Sequence, residues 1–274
     1  MTVRRQTGHI HYGPERTPAL PRSYLAGLGM SNDTDSDHDI AIAVGECRNT
    51  GDDCNLVLSS VLTKQIDATW AAGDDAGGMN DGDSVGNNEW FHVFLIGAPG
   101  GAVDAGFDTN TDASLLLADA AVAAAGFTKY RRIGSVRTDG SANIVAFVQY
   151  GDEFVWSDAT TWSIAATTSA ALYTCPYSPL GVACKIDFKG TFDAKTQFDE
   201  ISFYPANGKN TAPTQNNGYA SLICQNGNYE NAGHFSLMTN TSAQIGAILG
   251  SGVTVNTNFA AVVMSYTDRR GRDD

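Results

Sequence analysis

Short apolar or alternating segments recur along almost the whole chain, separated by turns rich in Gly, Asp and Asn, and they constrain the fold more than any other feature. Residues 37–44 alternate between an apolar and a polar face, as a half-buried strand does, and residues 90–96 are almost continuously apolar, as a central strand is. Strands at this spacing, with hardly a helix between them, favour a β-sandwich over parallel βαβ units.

The other predicted strands share this pattern of a short run bounded by turn residues; they are residues 55–62, 130–137, 143–150, 153–156, 171–174, 181–188, 200–204, 220–225, 234–238 and 258–266. Residues 47–54 are predicted as a turn, and residues 63–70 as one or two helical turns or an irregular crossing. The one convincing helix candidate spans residues 115–125, with Thr111 or Asp112 as its N-cap and Gly126 as its stop.

We therefore predict an all-β fold, an antiparallel, jelly-roll-like β-sandwich with an extended N-terminal arm and at most one short helix. Residues 1–25 form the arm, because three prolines interrupt a stretch without periodicity. Residues 26–160 form the sandwich, and residues 161–274 form a second β-rich part. The Thr- and Ala-rich stretch between them divides either two sheets of one sandwich or two subdomains, and the sequence leaves both open.

Composition and charge exclude several functions. Only 17% of the residues are charged and 29 are glycine, which suits short strands joined by many turns. The net charge of −13 argues against a nucleic-acid partner, because binding phosphates needs clustered Lys or Arg. Near the C-terminus, a cluster of three arginines (Arg269, Arg270 and Arg272) is followed by two aspartates, which would partly neutralise it.

The N-terminal arm is basic, unlike the rest of the chain. Against the single acidic residue Glu15 it carries four arginines: Arg4, Arg5, Arg16 and Arg22. These arginines either anchor the arm on an acidic neighbour or belong to a solvated segment.

No run of about 18 apolar residues spans a membrane, and the N-terminus lacks the apolar core of a secretory signal. We therefore expect synthesis in a cytoplasm and no membrane insertion.

One acidic cluster has partial calcium-loop spacing. Asp33, Asp35 and Asp37 match the first alternate ligands of an EF-hand loop. However, His38 replaces the required Gly, and Val44 stands where the bidentate Glu belongs, so an EF-hand is excluded. A looser calcium site remains as an alternative to a solvated turn.

No arrangement of residues points to catalysis or to a cofactor. Glycosidases need two carboxylates at a fixed separation, and no spacing selects one pair among candidates such as Asp152 with Glu153 or Asp199 with Glu200. His92 lies inside an apolar strand, which indicates a satisfied core histidine. We expect no enzymatic activity, no cofactor and no assembled metal site.

Cysteines and aromatic residues complete the candidates. The five cysteines show no CxxC pair, and we expect free thiols, with bridges between Cys47 and Cys54 or between Cys175 and Cys184 as the alternative. Three tyrosines in predicted turns are candidate receptor contacts: Tyr177, Tyr219 and Tyr229.

Five blocks of the sequence resemble a module of tail fibre and other virion proteins of tailed bacteriophages; they are residues 22–29, 63–70, 88–96, 130–136 and 265–272. The resemblance covers roughly residues 22–156 and, less closely, the C-terminal strand. The apolar run at residues 115–125 departs from the module, which usually has a shorter polar loop there.

The resemblance implies a virion structural protein without catalytic residues, most simply a tail fibre or tail-tip protein that takes part in host attachment. A capsid decoration protein and a polysaccharide depolymerase are the alternatives. The implied partners are further copies of the chain in a homotrimer, other virion proteins bound through the arm, and a polysaccharide or protein on the host surface.

Overall fold

A computed structural model describes residues 20–158, 161–194, 199–208, 220–223, 229–250 and 259–272, with side chains at all of these except 193, 194, 229 and 230. In chain order the strands of the first half are β1 (Leu25–Gly27), β2 (Met30–Asn32), β3 (Asp39–Ile42), β4 (Gly45–Arg48), β5 (Asn55–Leu58), β6 (Leu62–Thr69), β7 (Ala76–Met79), β8 (Trp90–Gly97), β9 (Val103–Asp108), β10 (Lys129–Arg137), β11 (Phe147–Tyr150) and β12 (Glu153–Trp156). Those of the second half are β13 (Thr161–Ile164), β14 (Ala171–Thr174), β15 (Lys185–Ala194), β16 (Glu200–Pro205), β17 (Ala220–Ile223), β18 (Tyr229–Met238), β19 (Gln244–Leu249) and β20 (Phe259–Thr267). Two helices lie between β9 and β10: α1 (Ser114–Ala118) and α2 (Ala120–Ala124).

Hydrogen bonds join the described strands into five sheets. The largest runs β11-β12-β20-β15-β18, with β13 also on β20; the others run β1-β4-β5, β2-β3-β6-β7, β10-β8-β9 and β14-β19-β16-β17. Every pairing is antiparallel except that of β6 with β7. The prediction of an all-β, sandwich-like fold is confirmed.

The six-stranded sheet packs against two smaller sheets through aromatic side chains. At one end, Trp90 on β8 meets Tyr266 on β20 edge-on, with ring centroids 5.8 Å apart. At the other end, Phe203 on β16 meets Phe259, also on β20, at 4.8 Å. One continuous hydrophobic core therefore includes residues from both predicted parts of the chain, and β20 contributes to each end of it.

Side chains, in place of a backbone ladder, connect the six-stranded sheet to its neighbour at β2. The backbone N–H of Met30 donates to Gln149 Oε1 at 2.6 Å, and that of Phe147 donates to Asn32 Oδ1 at 3.2 Å. These two amide side chains satisfy edge groups that a strand would otherwise leave unpaired.

The predicted single helix is wrong in one respect, because the chain forms two short helices separated at Asp119. Asp119 is extended, with φ −57° and ψ 135°, and its carboxylate accepts hydrogen bonds from the N–H groups of Ala121 and Val122. An aspartate that caps the backbone beyond it competes with continuation of the helix. The predicted stop at Gly126 is confirmed by its φ of +84°.

The cap of α1 also differs from the prediction. Asp108, at the end of β9, accepts hydrogen bonds from the N–H groups of Leu115 and Leu116 at 2.8 Å each. Asp112 accepts from the N–H of Ser114, at 3.1 Å, and no hydrogen bond from Leu115 or Leu116 to it is described. The capping carboxylate therefore comes from a preceding strand, which local sequence spacing does not indicate.

Residues 63–70 are not helical: all but Trp70 belong to β6, which lies between β3 and β7. Lys64 and Gln65 interrupt the alternation that would have indicated a strand, yet Lys64 is fully buried. The predicted turn at residues 47–54 overlaps β4, and residues 1–19 of the predicted arm lie outside the described residues.

Gly246 provides a test of the packing. It lies on β19 opposite Leu172 and Tyr204, and a Cβ at this position would overlap the Tyr204 ring. Gly246→Ala should lower the free energy of unfolding by about 1–3 kcal/mol, because a buried ring must leave its place. Gly29→Ala is the control, since a Cβ there meets nothing within 4 Å. Equal urea midpoints for the two variants would contradict this packing.

Candidate functional site

The three candidate calcium ligands do not converge on a common point. Asp33 Oδ2 accepts a hydrogen bond from Thr63 Oγ1 at 2.6 Å, which ties the turn to β6. Asp35 accepts from the N–H of Asp37 and contacts His38 Nδ1 at 3.0 Å. Within the described ranges, no group of three or more His, Cys, Asp or Glu residues is placed to hold a metal ion. The cluster shapes the turn between β2 and β3.

His38 lies next to two aspartates of this surface, Asp35 and Asp67. Its hydrogen bond with Asp35 raises the pKa of the imidazole, with smaller contributions from Asp67 and Asp37, and lowers the pKa of Asp35. Asp39, which follows it, is buried, and burial together with the surrounding aspartates raises the pKa of its carboxyl group. The surface is strongly acidic, and protonation of His38 partly compensates its charge.

A groove of about 320 Å³ borders this surface. His38, Asp67 and Asp83 give it polar walls, and Ile66, Met79 and Val85 give it apolar ones. Carboxylates at this position repel phosphate and other anions, in agreement with the acidic composition.

The titration of His38 can be measured directly. By NMR, its pKa should lie above the ordinary value of about 6.5, and Asp35→Asn should lower it, whereas Asp187→Asn on β15 should leave it unchanged. Because the folded-state pKa is raised, the stabilisation by this pair is present below the unfolded-state pKa. It is lost as the pH rises through the folded-state value. An unshifted pKa in the parent protein would contradict the contact.

A second group of polar residues is buried where β8, β10 and the segment after β20 meet. The Arg132 guanidinium binds both carboxylate oxygens of Asp268, Nη1 to Oδ2 at 2.5 Å and Nη2 to Oδ1 at 2.9 Å. Ser135 Oγ accepts from Arg132 Nη1 at 3.3 Å and lies 2.8 Å from His92 Nδ1. The Tyr266 hydroxyl donates to the backbone oxygen of Ser135 at 2.7 Å.

This group combines a serine, a histidine and an aspartate, but its geometry is not that of a catalytic triad. The His92 ring bonds to the backbone of Leu180, and Asp268 is occupied by Arg132. Ser135 and His92 are each 1% exposed, so a substrate does not reach them. Burial lowers the pKa of His92 to about 4, which keeps the ring neutral at pH 7. His92 is a satisfied core histidine, as predicted.

The C-terminal arginines extend this buried group. Arg270 donates to the backbone oxygens of Gly27 and Leu28 at 3.3 Å each and to Asp152 Oδ1 at 3.2 Å. Arg272 also pairs with Asp152. The expectation that Asp273 and Asp274 neutralise the arginine cluster concerned residues outside the described ranges. Asp152, in the turn between β11 and β12, forms ion pairs with two arginines of this cluster, Arg270 and Arg272.

Breaking the buried ion pair should be costly. Burial acts to raise the pKa of Asp268, but the charge and hydrogen bonds of Arg132 outweigh it and lower that pKa. Asp268→Asn or Arg132→Met leaves a buried charge without its partner, and we expect a loss of about 3–5 kcal/mol in the free energy of unfolding. The stabilisation by Asp268 is present above its unfolded-state pKa and is lost as the pH falls through its folded-state value.

The matched control is Asp53→Asn, which breaks the exposed ion pair with Lys129. Urea unfolding of all three variants should show large losses for the two core substitutions and a small change for the control. Similar midpoints in all three would mean that the buried pair does not hold the C-terminal segment.

A second buried ion pair joins β6 to β9. Lys64 Nζ lies 3.2 Å from Asp104 Oδ1 and donates to the backbone oxygens of Ala71 and Gly73. Asp104 Oδ2 accepts from the N–H of Gly73 at 2.7 Å. Burial lowers the pKa of Lys64, and Asp104 opposes this shift. All three ammonium protons of Lys64 have acceptors. The ion pair therefore orders the loop after β6, and the Lys64 amine is not a free nucleophile.

The remaining candidates for chemistry are the acidic residues and the cysteines. Among the carboxylates, Glu153 accepts from Ser265 Oγ at 2.7 Å, and Glu200 is buried and accepts from Ser202 Oγ. The four described cysteines are free thiols, as predicted, and Cys224 lies outside the described residues. Burial raises the pKa of Cys47 and of Cys175 to about 12, which makes both thiols unreactive.

The three tyrosines predicted as receptor contacts and the four arginines predicted as anchors differ in where they lie. Tyr177 is only 6% exposed, and its ring packs against Trp156 and under the Arg137 guanidinium, so its assignment as a receptor contact is corrected. Tyr219 and the side chain of Tyr229 lie outside the described part. So do the anchor candidates Arg4, Arg5 and Arg16, whereas Arg22 is exposed and has no ion-pair partner among the described residues.

Comparisons with known proteins identify no family. No family model matches the chain. No curated protein matches its sequence. The solved "Structure of infectious bursal disease virus Gx strain" contains a chain that is 12% identical, with 91% of this chain and 71% of that chain covered and a TM-score of 0.26. This score is too low to support an argument about fold or function. Neither described helix has the length and apolar character needed to cross a membrane.

Proposed function

We propose that this chain is a non-enzymatic structural protein of a tailed-phage virion, a tail fibre or tail-tip component that takes part in host attachment. The observation that carries the proposal is the mutual contact of the blocks that resemble the phage module. Residues 130–136 contribute Arg132, residues 265–272 contribute Asp268, and these two side chains form the buried ion pair. Residues 88–96 add Trp90, which packs on Tyr266.

The surroundings of the polar groups support a structural role. The buried charges are paired, Lys64 with Asp104 and Arg132 with Asp268. Asp268 also accepts a hydrogen bond from the backbone N–H of Arg270. Such pairs contribute to the specificity of a fold, whereas a catalytic centre presents a reactive group to a cavity. We propose further that the chain forms a homotrimer, in which neighbouring copies protect exposed strand edges.

The basic arm is the proposed attachment point to other virion proteins. Deletion of residues 1–21 should leave the described core folded, because the described end of the arm is held by single hydrogen bonds: the Leu20 N–H donates to Asn55 Oδ1, and the Pro21 carbonyl oxygen accepts from the N–H of Tyr24. It should abolish incorporation into particles, as measured by immunoblotting of purified virions. Arg4→Gln, Arg5→Gln and Arg16→Gln together should reproduce the loss, and Lys189→Gln on β15 is the control. Normal incorporation of the deletion variant would refute the anchoring role.

Immunogold labelling of intact particles distinguishes the possible locations. Label at the tail tip or on the fibres is expected. Label over the capsid would replace the tail assignment with capsid decoration, and particles without label would overturn the virion proposal. Release of reducing ends from host polysaccharide by the purified protein would indicate a depolymerase instead.

A further inference from the structure

The groove beside His38 combines carboxylates with apolar walls. Asp67 and Asp83 line it and are exposed, and Val85 and Ile66 lie on its apolar side. Within the described part of the chain, Asp83 forms neither an ion pair nor a side-chain hydrogen bond, and Asp67 lies 4.0 Å from His38 Nδ1. A long basic side chain suits such a groove, because its aliphatic stem packs on apolar groups while its charged end meets carboxylates.

Further carboxylates lie around the groove. Besides burial, which is the main cause, four of them raise the pKa of Asp39; they belong to Asp35, Asp75, Asp67 and Asp33. A negative potential therefore extends over this face, and His38, when protonated, is the one positive side chain among the residues that line the groove. A cation is the occupant that this charge favours.

Most basic residues of the described core already have a partner. Those that form ion pairs with aspartates are Arg48, Lys64, Lys129, Arg132, Lys185, Arg270 and Arg272. The first 19 residues of the chain contain Arg4, Arg5 and Arg16 against the single acidic residue Glu15. Within this chain, charge complementarity therefore points to the N-terminal arm as the occupant of the groove.

We infer that the groove binds the tip of this chain's own N-terminal arm, with Arg4 and Arg5 meeting Asp67 and Asp83. The contact is intramolecular, so the arm is present at a high effective concentration and exposed ion pairs, although individually weak, hold it. The groove then competes with any acidic partner of the arm for the same arginines.

The arm joins the core near the end of β10 that is remote from the groove. The Leu20 N–H donates to Asn55 Oδ1, and Asn55 follows a turn in which the Thr50 N–H donates to the oxygen of Tyr130, near the start of β10. Ala142, in the turn after β10, lines the groove. A strand of nine residues is about 27 Å long, so the arm must cover roughly this distance.

The length of the arm divides its arginines into two groups. Arg5 lies 15 positions before Leu20, and an extended chain of that length spans up to about 50 Å. Arg16 lies four positions before Leu20, which allows only about 13 Å. Arg4 and Arg5 therefore reach the groove and Arg16 does not, which makes Arg16 a matched control.

Methyl NMR of the full chain tests the inference, with Val85 as the reporter in the groove and Met238 on β18 as the reference. Arg4→Gln with Arg5→Gln should move the Val85 resonances, because the groove loses its occupant, whereas Arg16→Gln should leave them in place. Sodium chloride should move the parent resonances in the same direction, since salt screens exposed ion pairs. An unchanged Met238 resonance establishes that each variant folds.

The carboxylates of the groove are tested by Asp67→Asn with Asp83→Asn, both at exposed positions. The Val85 resonances of this variant should no longer respond to sodium chloride, whereas those of Asp187→Asn on β15 should respond as in the parent.

Three results would overturn the inference. The first is a set of Val85 resonances that are identical in the parent and in the Arg4→Gln, Arg5→Gln variant. The second is an equal change caused by Arg16→Gln, which would indicate a general effect of charge. The third is a Val85 shift that depends on protein concentration, which would place the arm of another copy in the groove.

The inference does not depend on the proposed virion role. Unlabelled virions together with the expected Val85 shifts would remove only the virion role. Labelled virions together with unchanged Val85 resonances would remove only the contact between the arm and the groove.

Discussion

The buried ion pair between Arg132 and Asp268 is the interaction on which the arrangement of the sheets depends. A guanidinium and a carboxylate taken out of water are tolerated only when both are paired and hydrogen-bonded, and here both conditions are met. The pair fixes the segment after β20 against β10, and Arg270 then reaches the backbone between β1 and β2. Residues far apart in sequence are joined at one place by charge, and Tyr266, which hydrogen-bonds Ser135 in the same group, also packs against Trp90.

Strands with a plain hydrophobic pattern could be predicted from the sequence. β8 was predicted almost to the residue because it is apolar on both faces, and β14 because turn residues bound it. The failures have a common physical cause, which is a polar residue whose partner is distant in sequence. Lys64 interrupts the strand pattern of β6, and it can be buried there because its counterion is on β9. Asp119 divides the helix because its carboxylate binds backbone N–H groups beyond it.

Candidate sites were harder to predict than strands, because spacing along a chain says little about convergence in space. Asp33, Asp35 and Asp37 alternate as calcium ligands would. However, Asp33 is hydrogen-bonded to Thr63 and Asp35 to His38, so these two carboxylates have separate partners. Tyr177 follows a predicted strand and precedes a proline-containing turn, which indicated exposure, yet it packs on Trp156. The buried Arg132 and Asp268 carried no local signal, since their pairing spans 136 positions.

The position of β20 between two aromatic clusters has a consequence for how the protein is made. Tyr266 belongs to the cluster around Trp90, and Phe259 belongs to the cluster around Phe203, so each half of the core lacks a central strand until residues 259–267 have left the ribosome. Contacts of such large sequence separation form late and slowly. A chain that stops before them leaves the facing edges of β12 and β15 unpaired, so the six-stranded sheet closes only at the end of synthesis.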